Sequence, residues 1–241
     1  MATGTDFDYY NSHYRHVNPN FDIDRFRQIT LHEHRDVLRK DQRILDVGCG
    51  TGFLLKALET AGYEHLWGVE IDENQYREAC RRLERTQLAR QDAFRYLENC
   101  KERFDIIFFY DFVEHIAKER IVTLLRLARE VLEPTGVLII RTPNADSPFF
   151  ATRTRYIDFT HEVIFNEESI RMVLRGAGFE EIVCRSTRRP PGWRQLAGGL
   201  LRAIANLFPR FCQLAYFGPS ALRWILTPNF IVIARKQATR R

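Results

Sequence analysis

Residues 44–52 read Ile44-Leu45-Asp46-Val47-Gly48-Cys49-Gly50-Thr51-Gly52: a short apolar run with one carboxylate inside it, then glycine at every second position. Apolar side chains recur at helical spacing over 52–61, so the stretch predicts a strand, a tight glycine turn and a helix. Glycines at 48, 50 and 52 let the main chain approach a ligand at the carboxyl edge of the strand, where open α/β sheets bind theirs. A dinucleotide places its diphosphate at such a helix start, with the spacing G-x-G-x-x-G after an apolar strand end. Here the third glycine comes one position sooner and Asp46 stands just before the loop. A carboxylate there repels a diphosphate and suits a nucleotide-like ligand that carries positive charge.

Outward from this loop, apolar runs bounded by turn residues alternate with segments of helical period. Strands are predicted at 43–47, 66–70, 104–110 and 136–142, with a weakly patterned one at 87–90. Helices are predicted at 52–61, 73–83 and 117–132, the last ended by Glu133-Pro134 and Gly136. A helix over 167–177 stopped by Gly178, a strand over 179–185 and a final strand over 230–235 complete the series. This alternation predicts an α/β fold, a Rossmann-like, doubly wound, seven-stranded and mostly parallel sheet. Residues 188–228 are too long for a turn and carry Leu196, Leu200, Ile204, Leu207 and Phe208 at helical spacing, which reads as a helical insertion before the last strand. The expected organisation is one domain over 1–241. Residues 1–40 form an N-terminal lid or helical cap, 41–187 and 229–236 the core, and 188–228 the insertion.

Composition sets the outer bounds. The chain has 241 residues, 45% of them hydrophobic and 28% charged, which suits a packed enzyme-sized fold and excludes a largely disordered one. Cys49, Cys80, Cys100, Cys184 and Cys212 form no C-x-x-C pair, so neither a disulfide framework nor a metal site is expected. Residues 1–14 show no basic region followed by an apolar core, so a cytoplasmic protein is expected, at most peripheral at the inner face of a membrane. The net charge is +5, yet residues 185–241 hold eleven basic and no acidic side chains, which leaves the remainder net acidic. This asymmetry fits either a C-terminal surface that meets an anionic partner or a solvated basic face. Arg202, Arg210 and Arg223 interrupt the C-terminal apolar stretch before it reaches the length of a membrane span.

A ligand with an ammonium and a sulfonium matches Asp46 and the glycine loop, and S-adenosylmethionine is such a ligand. The motif D-x-G-x-G-x-G after a first strand resembles motif I of the class I S-adenosylmethionine-dependent methyltransferases, and the likeness continues in order along residues 43–144. It implies that Asp46, Gly48, Cys49, Gly50 and Gly52 cradle the donor. Glu70, with Ile71 beside it, ends the second strand where this family holds the ribose hydroxyls, both of which a carboxylate can accept. Asp92 and Ala93 stand where the family binds adenine. The run from Phe104 to His115 resembles the fourth strand and turn of the ubiquinone-methyltransferase-like and polysaccharide-cluster branches. Val113 replaces the leucine of their usual L-E-H, and Tyr110 ends the strand beside the donor.

Methyl transfer from a sulfonium is an in-line displacement that depends mainly on positioning, but an alcohol acceptor must also lose a proton. A neutral histidine is the usual base. His115, past the fourth strand, and His161, beyond the fifth, both lie near the catalytic edge. Each is read either as that base or as a structural or acceptor-binding group, with Asp158 as a candidate to orient His161. Residues 143–165 are long for a loop and carry Asn144, Arg153, Arg155 and Tyr156, a candidate acceptor pocket in which the arginines suit a phosphate or carboxylate. The aromatic cluster Phe7, Tyr9, Tyr10 and Tyr14 reads either as part of a lid over the donor or as packing of a helix cap.

Likeness to polysaccharide-cluster enzymes in Thr142-Pro143-Asn144, Asp158-Phe159-Thr160-His161 and Leu226-Thr227-Pro228-Asn229 implies a sugar hydroxyl in a glycan precursor as acceptor. A quinone-precursor phenol or other small molecule is the alternative. Nucleic acid is not expected, because Asp111-Phe112-Val113-Glu114 is not the D/N-P-P-Y/F tetrad of base methylation. A non-catalytic Rossmann-like subunit is the reading of another class. The acid-free insertion 193–224 suits a membrane surface, or else the core or the second subunit of a homodimer.

Overall fold

In the computed structural model, which describes residues 22–187, 199, 201 and 203–236, the apolar runs form a single seven-stranded sheet. The strands are β1 (Ile44–Val47), β2 (Leu66–Glu70), β3 (Gln87–Arg90), β4 (Phe104–Tyr110), β5 (Leu132–Pro143), β6 (Glu181–Ser186) and β7 (Asn229–Arg235), in the order β3-β2-β1-β4-β5-β7-β6. β3, β2, β1, β4 and β5 run parallel, and β7 is antiparallel to both of its neighbours. All seven strands come from the two segments expected to form the core.

Central strands are apolar on both faces because helices cover both faces. Leu45, Val47, Ile107, Phe109, Leu138, Ile140 and Val232 point to one side, where they meet α4 (Ala93–Asn99), α5 (Ile121–Val131) and α7 (Glu167–Gly176). Ile44, Ile106, Phe108, Ile139 and Ile231 point to the other, against α2 (Phe53–Thr60), α3 (Glu73–Arg82) and the segment that follows α1 (Ile23–His34). From β1 the order steps to β2 on one side and to β4 on the other. The crevice at this reversal opens at the carboxyl ends of the strands, beside the glycine loop.

The structure departs from the sequence reading at several elements. The helix expected over 117–132 is α5, preceded by a 3-10 turn at Lys118–Arg120, and Leu132 already belongs to β5, which is longer than the 136–142 expected. α4 and α6 (Ala151–Ile157) were not expected. α4 is a single short helix capped by Asp92, and α6 buries none of its residues and so shows no apolar period. The described part of the insertion includes helical residues at 199, 201 and 203–205, α8 (Leu207–Phe217) and a 3-10 turn at Pro219–Arg223. The expectations for the Phe7–Tyr14 cluster and for 188–198 lie outside the described residues. Among the described residues, no helix is long and apolar enough to cross a membrane.

Candidate active site

The loop after β1 takes the left-handed backbone that its glycines allow, with φ of 71° at Gly48, 53° at Gly50 and 79° at Gly52. A Cβ at Gly48 would run into the Phe112 ring, so this position is closed to any side chain. Glu70, at the carboxyl end of β2, clamps the loop from the side. Its Oε2 accepts from the Gly50 amide at 2.8 Å and its Oε1 from the Asp72 amide at 2.8 Å. Burial raises its pKa, and the same amide bonds pull against that rise. Each carboxylate oxygen keeps a second lone pair for a hydroxyl.

Asp46 occupies a strand position whose neighbours on the same face, Ile44 and Phe108, are hydrocarbon. It is 2% exposed, and its Oδ1 is buried without a hydrogen-bond partner. Burial first, then the Glu70 charge, pushes its carboxyl up to about 8 against the pull of Arg141. A buried polar atom left unpaired calls for a partner from outside the chain. A cationic group at the mouth of the glycine loop would supply it, so the residues present fit S-adenosylmethionine. Cys49 is buried beside them, its thiol held neutral by burial and by Asp46.

The other expected donor residues line the same edge. Asp92 caps α4, with Oδ1 accepting from the Arg95 amide at 3.1 Å, and Ala93 is the first residue of that helix. The Gln91 amide donates to the Glu70 carbonyl at 3.0 Å, which ties this segment to the end of β2. Ile71 is 46% exposed there. The Tyr110 phenol is turned to α1 instead, donating to Glu33 Oε2 at 3.1 Å and contacting His34 Nε2.

Next to Tyr110, Asp111 has φ of 48°, the one left-handed non-glycine among the described residues, and it pairs with Arg141 Nε at 3.0 Å. The Arg141 guanidinium lies 4.4 Å from the centroid of the Tyr110 ring. This pair went unseen in the sequence, because its partners lie 30 positions apart, one just past the end of β4 and the other on β5. Backbone strain of this kind concentrates at functional sites.

His115, in the 3-10 turn Val113–His115, and His161 come together with ring centroids 4.8 Å apart. They meet because the Glu162 and Val163 amides donate to the Glu114 carbonyl at 2.8 and 3.2 Å. Asp158 Oδ1 accepts from the Thr160 hydroxyl at 2.7 Å and from its amide at 2.9 Å. That hydroxyl's hydrogen is thereby committed, so its oxygen accepts from His115 Nδ1 at 2.8 Å. His161 Nδ1 donates to the Thr154 carbonyl at 2.8 Å. With Nδ1 as the donor in each ring, the tautomer assigned from these partners carries the lone pair on Nε2. Burial, and after it the neighbouring His161, lowers the His115 pKa. Through Thr160, Asp158 is linked to His115, and its main-chain carbonyl accepts from the His161 amide at 3.3 Å.

Glu114 is buried and accepts from the Thr142 hydroxyl at 3.1 Å, and burial, then the Asp111 charge, pushes its carboxyl well above the usual carboxylate range. With His115 and His161 it forms the one group among the described residues whose atoms could ligate a metal, all within 4.8 Å of one another. Bonds near 2.1 Å keep ligands at most about 4.2 Å apart, so this group would have to contract around an ion. No metal was expected from the sequence, where Glu114 and His115 are far from His161.

Of the expected acceptor residues, Asn144 is 1% exposed. Its Nδ2 donates to the carbonyls of Ile225 at 2.7 Å and Thr227 at 2.9 Å, and its Oδ1 accepts from the Asp146 amide. Asn144 is therefore a clasp between β5 and the segment leading into β7. Arg153, Arg155 and Tyr156 lie on α6, where the Arg155 guanidinium sits 5.5 Å from the Tyr156 ring centroid and Tyr156 is 74% exposed.

The family model for a methyltransferase domain matches residues 21–184. A ubiquinone biosynthesis O-methyltransferase of Azorhizobium caulinodans is 33% identical over 119 residues, 46% of this chain and 44% of that protein. The chain thus matches less than half the length of this curated relative. A solved SAM-dependent methyltransferase from Archaeoglobus fulgidus superposes with a TM-score of 0.66 at 21% identity, over 89% of this chain and 95% of that one. The plantazolicin methyltransferase BamL, solved with a triazolic desmethylPZN analog and SAH, superposes at 0.62 and 12% identity, over 93% of this chain and 89% of that one. At these identities the two structures show the shared fold.

Proposed function

The chain belongs to the family of methyltransferase domains, and we propose that it transfers a methyl group from S-adenosylmethionine to an acceptor hydroxyl, with His115 as the base. The observation that carries this reading is the unpaired, buried Oδ1 of Asp46 behind a left-handed glycine loop. Asp46 answers the ammonium end of the donor, Glu70 its ribose hydroxyls, and Asp92 with Ala93 its adenine. When bound, the donor supplies an electrophilic methyl on a sulfonium. The protein's part is to hold the acceptor in line with that methyl and to take one proton onto His115 Nε2. Asp158, acting through Thr160, stabilises the imidazolium that results.

An aromatic hydroxyl is the favoured acceptor. The curated relatives carry the name ubiquinone biosynthesis O-methyltransferase, which favours the phenol alternative over a sugar. A phenol, with a pKa near 10, also yields its proton to an imidazole more readily than an aliphatic hydroxyl does. The sugar hydroxyl implied by likeness to polysaccharide-cluster enzymes has no such support among the relatives.

Calorimetric titration with S-adenosylmethionine and S-adenosylhomocysteine tests the donor site, with NAD as the control. Binding is expected for both, with none for NAD, and Asp46→Ala or Glu70→Ala weakens it at least about tenfold, as loss of a charge-assisted hydrogen bond requires. Well-folded protein that binds neither ligand overturns the reading. With catechols and nucleotide sugars as acceptors, a rate abolished by chelator and restored by a divalent ion would reassign His115 from base to metal ligand.

A further inference from the structure

On the face of the sheet that carries Asp46, hydrocarbon gives way to charge toward the carboxyl edge. Asp46 pairs across the sheet with Phe108, and Phe108 with Ile139. Two residues further on, Tyr110 and Arg141 pair in the same register, and strand alternation turns both to that same face. The Arg141 guanidinium lies 4.4 Å from the centroid of the Tyr110 ring. Its charge therefore sits over a ring of β4, the strand that pairs with β1. From there it acts on Asp46, drawing that carboxyl down against the rise that burial imposes.

Asp111 governs which part of the guanidinium is free. Alternation would send the side chain after Tyr110 to the opposite face, but with φ of 48° Asp111 meets Arg141, its Oδ1 accepting from Nε at 3.0 Å and its Oδ2 from Nη2. The Asp111 amide also donates to the Arg141 carbonyl at 2.9 Å. One edge of the planar fork is thereby occupied. Nη1 has no hydrogen-bond partner among the described residues, and with the second hydrogen of Nη2 it makes the other edge, whose spacing matches the two oxygens of a carboxylate. The side chain keeps 24% of its surface exposed. An amino-acid end carries its ammonium and its carboxylate on one carbon, so a site for it needs an acid and a cation side by side. Asp46, with Oδ1 buried and unpaired, is the acid, and Arg141 is the cation.

We infer that the free edge of Arg141 binds the carboxylate at the amino-acid end of the donor, so that Asp46 and Arg141 together select a donor that carries both charges. The inference rests on the methyltransferase reading and adds to it the residue that discriminates against a ligand without the carboxylate.

Calorimetry with two ligands tests it: S-adenosylhomocysteine, and S-adenosyl-3-thiopropylamine, which is the same molecule without its carboxylate. The wild-type protein is expected to bind the first at least about tenfold more tightly, as loss of a charge-assisted pair implies. Arg141→Gln is expected to weaken S-adenosylhomocysteine by at least about tenfold and the amine by less than about twofold, so that the preference disappears. Arg141→Lys keeps the charge without the planar fork and is expected to lose part of the preference, which reads the same contact should the glutamine variant fail to fold. A wild type without preference overturns the inference. Equal losses for both ligands also overturn it and make Arg141 a prop of the fold. An unchanged affinity for S-adenosylhomocysteine with a raised KM for the acceptor overturns it and gives the guanidinium to the acceptor. Wild-type protein that binds neither ligand refutes the methyltransferase reading itself.

Discussion

Asp46 stands where β1 would otherwise place a hydrocarbon, and the empty protein bears the cost of that placement. Burial, and then Glu70, pushes its carboxyl up to about 8 in the fold, from an ordinary value of 3.8. A carboxyl whose folded pKa lies above its unfolded one stabilises the fold fully only below the unfolded value, and that contribution is lost as pH rises toward the folded value. Asp46→Asn is therefore expected to raise the melting temperature of the ligand-free protein by a few degrees at pH 8, with the gain vanishing near pH 4, while donor affinity falls. Thermal scans across that range check it, and a gain that is flat with pH would show that Asp46 is ionised throughout. His115 carries the opposite demand, for it must be neutral to accept a proton. With its pKa lowered by burial and by His161, the rate is expected to rise along a limb below pH 6.5 and to be level at neutrality. Thr160→Val removes the acceptor for Nδ1 and with it the link to Asp158, so kcat falls on the order of tenfold and the limb moves further to acid. Thr160→Ser restores both, and the donor KM stays unchanged in either variant. A purely structural threonine would move none of these.

At the scale of elements, the carboxyl edge is assembled by clasps rather than by the strands alone. Asn144 is the clearest, because both hydrogen bonds from its amide nitrogen hold carbonyls of the segment that enters β7. Asn144→Ala leaves those buried carbonyls unpaired, at a cost of roughly 2–3 kcal/mol, which for a chain of this size lowers Tm by about 5–10 °C. Donor affinity measured by calorimetry is expected to change less than about twofold, since Asp46 and Glu70 lie on other strands. A large loss of donor binding without a loss of Tm would return Asn144 to the binding role expected from the sequence. The elements legible in the sequence were those whose cause is local. The glycine loop is spelled by left-handed backbone that only glycine adopts freely, and Glu70 ends a strand whose buried run is visible in the sequence, whereas the strand before Asp92 is only weakly patterned. Features whose cause is a distant partner were not legible. The Asp111–Arg141 pair spans 30 positions and the His115–Thr160 bond 45. α6 escaped notice because a helix without a buried face writes no period into the sequence.

Across the whole molecule, stability is unevenly distributed, and the donor site sits on its most deeply buried strands. β1 is fully buried, and so are the central residues of β4, β5 and β7, whereas α6 and α8 bury no residue. Amide exchange by mass spectrometry is expected to be slowest in β1 and β4, close to the global unfolding limit, and fast in α6 and α8. A ligand that binds only the folded state adds about 2.7 kcal/mol when present at a hundred times its Kd. Saturation with S-adenosylhomocysteine should therefore slow exchange throughout the core, most of all in 48–52, 70–72 and 92–93, where the glycine loop and its carboxylates close on the ligand. α8 exchanges by local opening that does not expose the donor site, so its rate is expected to stay the same with ligand bound. Protection of α8 by the donor would make the helix a cover over the donor, because only a helix that packs on the ligand or on its loops gains stability when they become ordered.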